Sequence, residues 1–195
     1  MRFAGLKLGF AITGSHCTIL EVIPVIKELI EEGADVFPIF SNTVRETDTR
    51  FIKAVDFYRQ VTELTGHQPW NSLVEVEPIG PKKLLDVLVV APCTGNTLAK
   101  LAHGISDSCV VLAGKAHLRN ARPLVLGVST NDGLATSAHN LAVLLNKKHV
   151  YFVPFGQDAP DSKPTSVIAK LNLIPETVLA ALEQRQLQPL LITYK

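Results

Sequence analysis

Four short segments carry the residues best suited to holding a small anionic ligand. They are Thr13-Gly14-Ser15-His16, Phe40-Ser41-Asn42-Thr43, Ala91-Pro92-Cys93-Thr94-Gly95-Asn96-Thr97 and Ser129-Thr130-Asn131-Asp132-Gly133. All four are rich in hydroxyl and amide groups, which donate and accept hydrogen bonds without carrying charge. Gly14 permits a tight turn, and Ser15 can cap a helix beside free backbone amides that suit an anion. The 91–97 segment leads from a strongly apolar run into small and hydrogen-bonding residues, an arrangement able to grip a flat polar ring or a phosphate. Read singly, each segment is equally well explained as ordinary turn chemistry, with Ser15 and Ser41 as plain helix caps. Read together, they favour a binding site.

Other chemistries find less support. The first segment is not GxGxxG, and the second has Ser41, Asn42 and Thr43 where a dinucleotide site would place an acidic residue for the ribose. Hydroxyls there suit a phosphate or a mononucleotide better. Of six histidines, only His16 falls in one of the four segments, and none has metal-ligand spacing. Cys93 lies in the third segment, where a helix N-terminus would favour its thiolate; a small buried residue is the simpler role. Cys17, Cys93 and Cys109 form no CxxC pair and no disulfide framework.

The segments gain meaning from the elements around them. Residues 7–13, 34–40, 86–90, 123–128 and 150–153 read as apolar strands. Between them, helical spacing is expected over 19–30, 49–65, 96–103, 106–120 and 138–145, with a last helix over 175–186. Gly33 and Gly66 should close the first two helices, and Pro24 should bend the first. Residues 156–164 read as a loop, and 190–193 as a short apolar tail. Strands alternating with helices predict one doubly wound parallel sheet with helices on both faces, a Rossmann-like α/β fold. In such a sheet ligands bind beyond the C-terminal strand ends, where all four segments fall. The 195 residues are expected to form a single domain spanning 1–195, with a C-terminal helix and tail at about 172–195.

Composition agrees with a packed globular protein. Apolar residues make up 47% and charged residues 19%, and the net charge of +1 gives no sign of a nucleic-acid or membrane-surface partner. No run approaches the ~20 apolar residues a membrane span needs. The first residues lead directly into a strand rather than a signal peptide, and a reducing cytoplasm is the expected compartment.

The stretch from Asp86 through Ala91-Pro92-Cys93-Thr94-Gly95-Asn96-Thr97 to Asp107 resembles the signature of the flavoprotein family. That family includes phosphopantothenoylcysteine and lantibiotic-peptide decarboxylases and flavin prenyltransferases. Thr13-Gly14-Ser15 and Ser41-Asn42-Thr43 fall where the family has its other FMN loops. The resemblance implies a flavoprotein fold, an FMN-compatible site built from Gly14, Ser15, Ser41, Thr43, Pro92, Thr94, Gly95, Asn96, Thr97 and Asn131, no metal, and a homo-oligomer. Within the family, the whole chain is similar to one component of a two-component oxidoreductase of spore-forming bacteria. This implies oxidation of a dihydropyridine dicarboxylate beside a partner that binds NAD(P), with His16 as a proton acceptor. Two departures bear on chemistry. Pro78 stands where the decarboxylases carry a catalytic histidine, and Ser129-Thr130-Asn131 keeps only the asparagine of their Pro-Ala-Met-Asn motif. A non-catalytic component that kept the fold is therefore an open alternative, with an FMN-dependent decarboxylase behind it.

Overall fold

The computed structural model describes residues 1–15 and 17–193. In chain order the elements are β1 Lys7–Ile12, α1 Val22–Glu31, β2 Asp35–Phe40, α2 Asn42–Glu46, α3 Ala54–Thr65, α4 Leu73–Val76, β3 Val87–Cys93, α5 Gly95–His103, α6 Cys109–Leu118, β4 Leu124–Thr130, α7 Ala138–Leu145, β5 Val150–Phe152, β6 Phe155–Gly156, β7 Val167–Ala169 and α8 Ile174–Leu182. Five strands pair in parallel in the order β2-β1-β3-β4-β5. Every residue of β3 is buried, as expected of a central strand covered on both faces. On one side of the sheet α1 packs against α8; on the other α5 lies between α6 and α7.

The sheet extends beyond the parallel core. The C-terminal end of β4 leaves β5 and pairs antiparallel with β7 at Ser129 and Thr130, and β7 pairs antiparallel with β6. Read from the sequence, β6 falls at the start of the 156–164 loop, and β7 is left unassigned. The C-terminal tail closes this end: Leu190 O accepts from Phe155 N, Ile192 N donates to Phe155 O, and the Gln186 side chain bonds both backbone groups of Phe152 at 2.8 and 2.7 Å.

Three expectations about helices are corrected. The first helical segment opens as a 3₁₀ turn, Ile19–Glu21, and Pro24 falls in the first turn of α1, where its missing N–H has no intrahelical acceptor to lose, so it starts the helix rather than bending it. The helix expected over 49–65 begins only at Ala54. Thr49 Oγ1 accepts from the amides of Phe51 and Ile52, and Asp48 Oδ1 from that of Ala54, which hold 48–53 as a loop. The short helix α2 follows β2 directly, with Ser41 as its N-cap.

His117 sits in α6 at 1% exposure, and its Nε2–H donates to Pro123 O at 3.0 Å. Burial pushes its pKa from 6.5 down to about 4, against the opposing effect of that hydrogen bond. The folded protein therefore holds it neutral, whereas the unfolded chain protonates it below 6.5. Its contribution is complete above that value and is lost as pH falls toward 4. Between pH 7 and pH 4.5 it should cost about 2.5 kcal/mol of stability. Urea unfolding at both values, on the native protein and on His117→Gln, checks this; an equal loss in both proteins would remove His117 as the cause.

Candidate functional site

Strands β1 and β3 are neighbours, but the chain leaves them in opposite directions across the sheet: β1 to β2 on one side, β3 to β4 on the other. The two connections diverge and leave a crevice at the C-terminal strand ends, the place where sheets of this order bind their ligands. A buried clip fixes the crevice floor. Thr13 Oγ1 donates to Pro92 O at 2.6 Å and accepts from Thr94 N at 3.1 Å, joining the loop after β1 to the loop after β3. Pro92 is buried, follows a cis peptide bond and contributes through this carbonyl.

Gly14 lies against Thr43: a Cβ on it would stand 2.6 Å from Thr43 Cγ2. Only a residue without a side chain lets the β1 loop and the start of α2 come this close. Ser15 Oγ and Ser129 Oγ are 2.8 Å apart, and Thr18 Oγ1 donates to Ser15 Oγ at 2.8 Å, so three hydroxyls tie the β1 loop to the end of β4. Thr94 caps α5, accepting from Thr97 N at 3.4 Å. The other amides of that first turn have no acceptor within the helix, and Gly95 and Asn96, its first residues, line the clefts described below. Gly95 is the second close approach: a Cβ would meet Thr130 Oγ1 at 2.7 Å and Ser137 Oγ at 3.0 Å.

Two clefts meet at Gly14 and Thr94. The larger, of about 690 Å³, is bounded by Ser15, Cys17, Gly95, Ser129, Thr130 and Asn131 from the strand ends, by residues 48–51, and by Asp158, Lys163 and residues 166–168. The smaller, of about 480 Å³, is bounded by Thr13, Ser41, Asn42, Thr43, Asn96, Thr97, Lys100, Asp107, Ser108 and Val110. The sequence-derived set is thus brought together at one edge but divided. Gly14 and Thr94 face both clefts, Ser15, Gly95 and Asn131 face the larger, and Ser41, Thr43, Asn96 and Thr97 face the smaller. Pro92 faces neither, and His16 lies outside the described residues.

Charge at the site comes from residues that sequence reasoning missed. In the smaller cleft Lys100 Nζ holds both Asp107 oxygens at 2.9 and 2.8 Å, and that ammonium lowers the Asp107 pKa. In the larger cleft, Asp158 Oδ1 accepts from Ser166 Oγ. The 48–51 loop was hidden by the helix expected there; the run Thr47-Asp48-Thr49, dense in capping residues, was the available signal. Cys93 is fully buried in β3, and burial drives its thiol up to about 12, so it is a packing residue. Pro78 lies in a 3₁₀ turn, Glu77–Ile79, beside Gly80, whose carbonyl accepts from Asn120 after the C-terminal end of α6. That places it at the N-terminal edge of the sheet, away from both clefts. Among the described residues no cluster of His, Cys, Asp or Glu is arranged to hold a metal ion, and no helix is long and apolar enough to cross a membrane.

The pattern of the flavoprotein family matches residues 3–178. The B subunit of dipicolinate synthase from Bacillus subtilis (strain 168) is 47% identical over 188 residues, 96% of this chain and 94% of the relative. The crystal structure of the corresponding B subunit from Bacillus halodurans C aligns over the whole of both chains, with a TM-score of 0.92 at 45% identity. The FMN-dependent cysteine decarboxylase SpaF aligns with a TM-score of 0.68 at 20% identity, covering 93% of this chain and 98% of that one; this likeness is one of fold.

Proposed function

Because the chain belongs to the flavoprotein family, and its 47%-identical relative spans nearly all of it, we propose that it acts as the B subunit of a dipicolinate synthase. Its partner is the enzyme's A subunit, which carries NAD(P), and the pair oxidises a dihydrodipicolinate to dipicolinic acid in the cytoplasm of the mother cell during bacterial sporulation. The observation that carries this reading is the pair of clefts joined at Gly14 and Thr94, room for a cofactor and a small substrate side by side.

Aromatising a dihydropyridine removes one hydride and one proton. NAD(P)⁺ held by the partner would supply the hydride acceptor for this oxidation, and FMN, when bound, would supply the same capacity. The donor set of the smaller cleft fits a phosphorylated flavin: Ser41 and Thr43 for the phosphate, Thr94, Asn96 and Thr97 for polar edges of the ring. The larger cleft would take the substrate beside Ser15, Gly95 and Asn131, with His16 receiving the proton. Asn96→Asp puts a negative charge into the smaller cleft and should weaken FMN binding about tenfold or more. An FMN titration unchanged in that variant would remove Asn96 from the site.

A second reading has one observation in its favour. Among the described residues, no histidine lines either cleft, so the reacting groups could all belong to the partner and this chain would act by binding and assembly. Decarboxylase chemistry ranks below both, because Ser129-Thr130-Asn131 keeps only the asparagine of the decarboxylases' Pro-Ala-Met-Asn motif. Dipicolinate formation from freshly generated dihydrodipicolinate and nicotinamide cofactor separates these cases. Activity only when the nicotinamide-binding partner is present is the expected result, and omitting FMN from that mixture tells whether flavin takes part. A folded chain that yields no product in any mixture would overturn the assignment.

A further inference from the structure

Two cations border the larger cleft on loops that no signature residue occupies: Arg50, between α2 and α3, and Lys163, before β7. Their loops join the sheet at β2 and β7, which flank β1, β3 and β4 from opposite sides. The carboxylates beside them are largely engaged elsewhere. Asp48 accepts the Ala54 amide at the start of α3. Asp158 accepts Ser166 Oγ at 2.9 Å and stands 4.0 Å from Lys163 Nζ, the outer limit of an ion pair. The Arg50 guanidinium lies 4.7 Å over the Phe51 ring and is exposed, a position that keeps its donors open to a ligand. The cleft thus holds two basic groups on independent loops, hydroxyls between them, and the first-turn amides of α5 at Gly95.

We infer that Arg50 and Lys163 are the specificity-determining residues of the larger cleft, each binding one carboxylate of a dicarboxylate, so that the cleft selects dianions over monoanions. This rests on the substrate reading above and deepens it by naming the groups that recognise the charge. Guanidinium and ammonium pair with carboxylates through charge-assisted hydrogen bonds, and two such pairs on separate loops reward a ligand that carries both partners at once. A monocarboxylate can engage only one.

The test is calorimetric titration of the full chain with pyridine-2,6-dicarboxylate and with pyridine-2-carboxylate. Native protein should prefer the dicarboxylate. Arg50→Gln and Lys163→Gln should each weaken it by about tenfold, and the double variant should bind both ligands alike. Charge-preserving Arg50→Lys should recover part of the loss. Both side chains are exposed, so folding is not at stake, and circular dichroism verifies it. Native protein without preference, or variants that keep it, overturns the inference. The paired assay with the nicotinamide-binding partner separates this from the function itself. A rise in KM at constant kcat in the variants supports the inference. Full native activity with unchanged KM in the variants would sink it while leaving the assignment standing. Charge-dependent dicarboxylate binding without activity in any mixture would do the reverse.

Discussion

Thr13→Val should lower the unfolding free energy by about 2–4 kcal/mol and weaken whatever ligand the crevice holds. Valine matches threonine in shape, so the change removes a hydroxyl and little else. That hydroxyl belongs to a residue only 2% exposed and serves two backbone groups, accepting from Thr94 N and donating to Pro92 O. Its loss strands a donor and an acceptor in a place where water has little access, and each stranded group costs about 1–3 kcal/mol. The clip also sets the distance between Gly14 and Thr94, the two residues common to both clefts, so the damage reaches the site as well as the fold. Thr13→Ser keeps the hydroxyl and should retain most of both. Urea unfolding and FMN titration of the two variants decide the matter; a valine variant as stable as the native protein would mean that the two backbone groups find other partners.

Phe40→Ala should cost about 3–5 kcal/mol, a large part of the about 5–15 kcal/mol that holds a typical domain. Phe40 is fully buried at the end of β2, stacked on Phe57 at 5.4 Å between centroids and edge-on to Tyr58 at 6.1 Å. Those contacts seat α3 against the sheet. Its backbone adds two more ties, donating to Trp70 O and accepting from Cys109 Sγ at 2.8 Å. The next residues are Ser41 to Thr43, and the 48–53 loop hangs between this point and α3. A cavity here should therefore loosen the smaller cleft and the Arg50 loop together. Phe40→Leu refills most of the volume and should cost about 1.5 kcal/mol or less. Thermal unfolding of both variants, with dicarboxylate titration, is the check; alanine and leucine variants of equal stability would contradict the packing argument.

The parallel core was readable in the sequence because buried strands and amphipathic helices write long, repeated patterns. β3 is apolar throughout, and α1 repeats its buried positions Val22, Val25, Ile26 and Leu29 at helical spacing. Its signature loop was readable too, since the apolar run stops abruptly at Thr94. What escaped was short or held by side chains. The loop at 48–53 exists because Asp48 and Thr49 take backbone amides that a helix would otherwise use, and apolar spacing over 49–65 carries no trace of that competition. β6 and β7 are short and flank a Gly-, Pro- and Asp-rich stretch that reads as loop, so Lys163, Ser166 and Val167 entered the site unannounced. The division into two clefts follows from where Gly14 meets Thr43, a contact between segments far apart in the chain.

The C-terminal tail has a consequence beyond closing the sheet. A strand at the margin of a sheet offers its outward N–H and C=O groups to any other chain that can lie alongside, which is how soluble proteins begin to aggregate. The Gln186 side chain fills both outward positions of Phe152 in β5, and Leu190 and Ile192 do the same for Phe155 in β6. At the opposite margin, Trp70 pairs through its backbone with β2, whose Pro38 has no N–H to offer. At these positions the margins are occupied by the chain's own irregular segments, which leaves fewer backbone groups there for another chain to pair with.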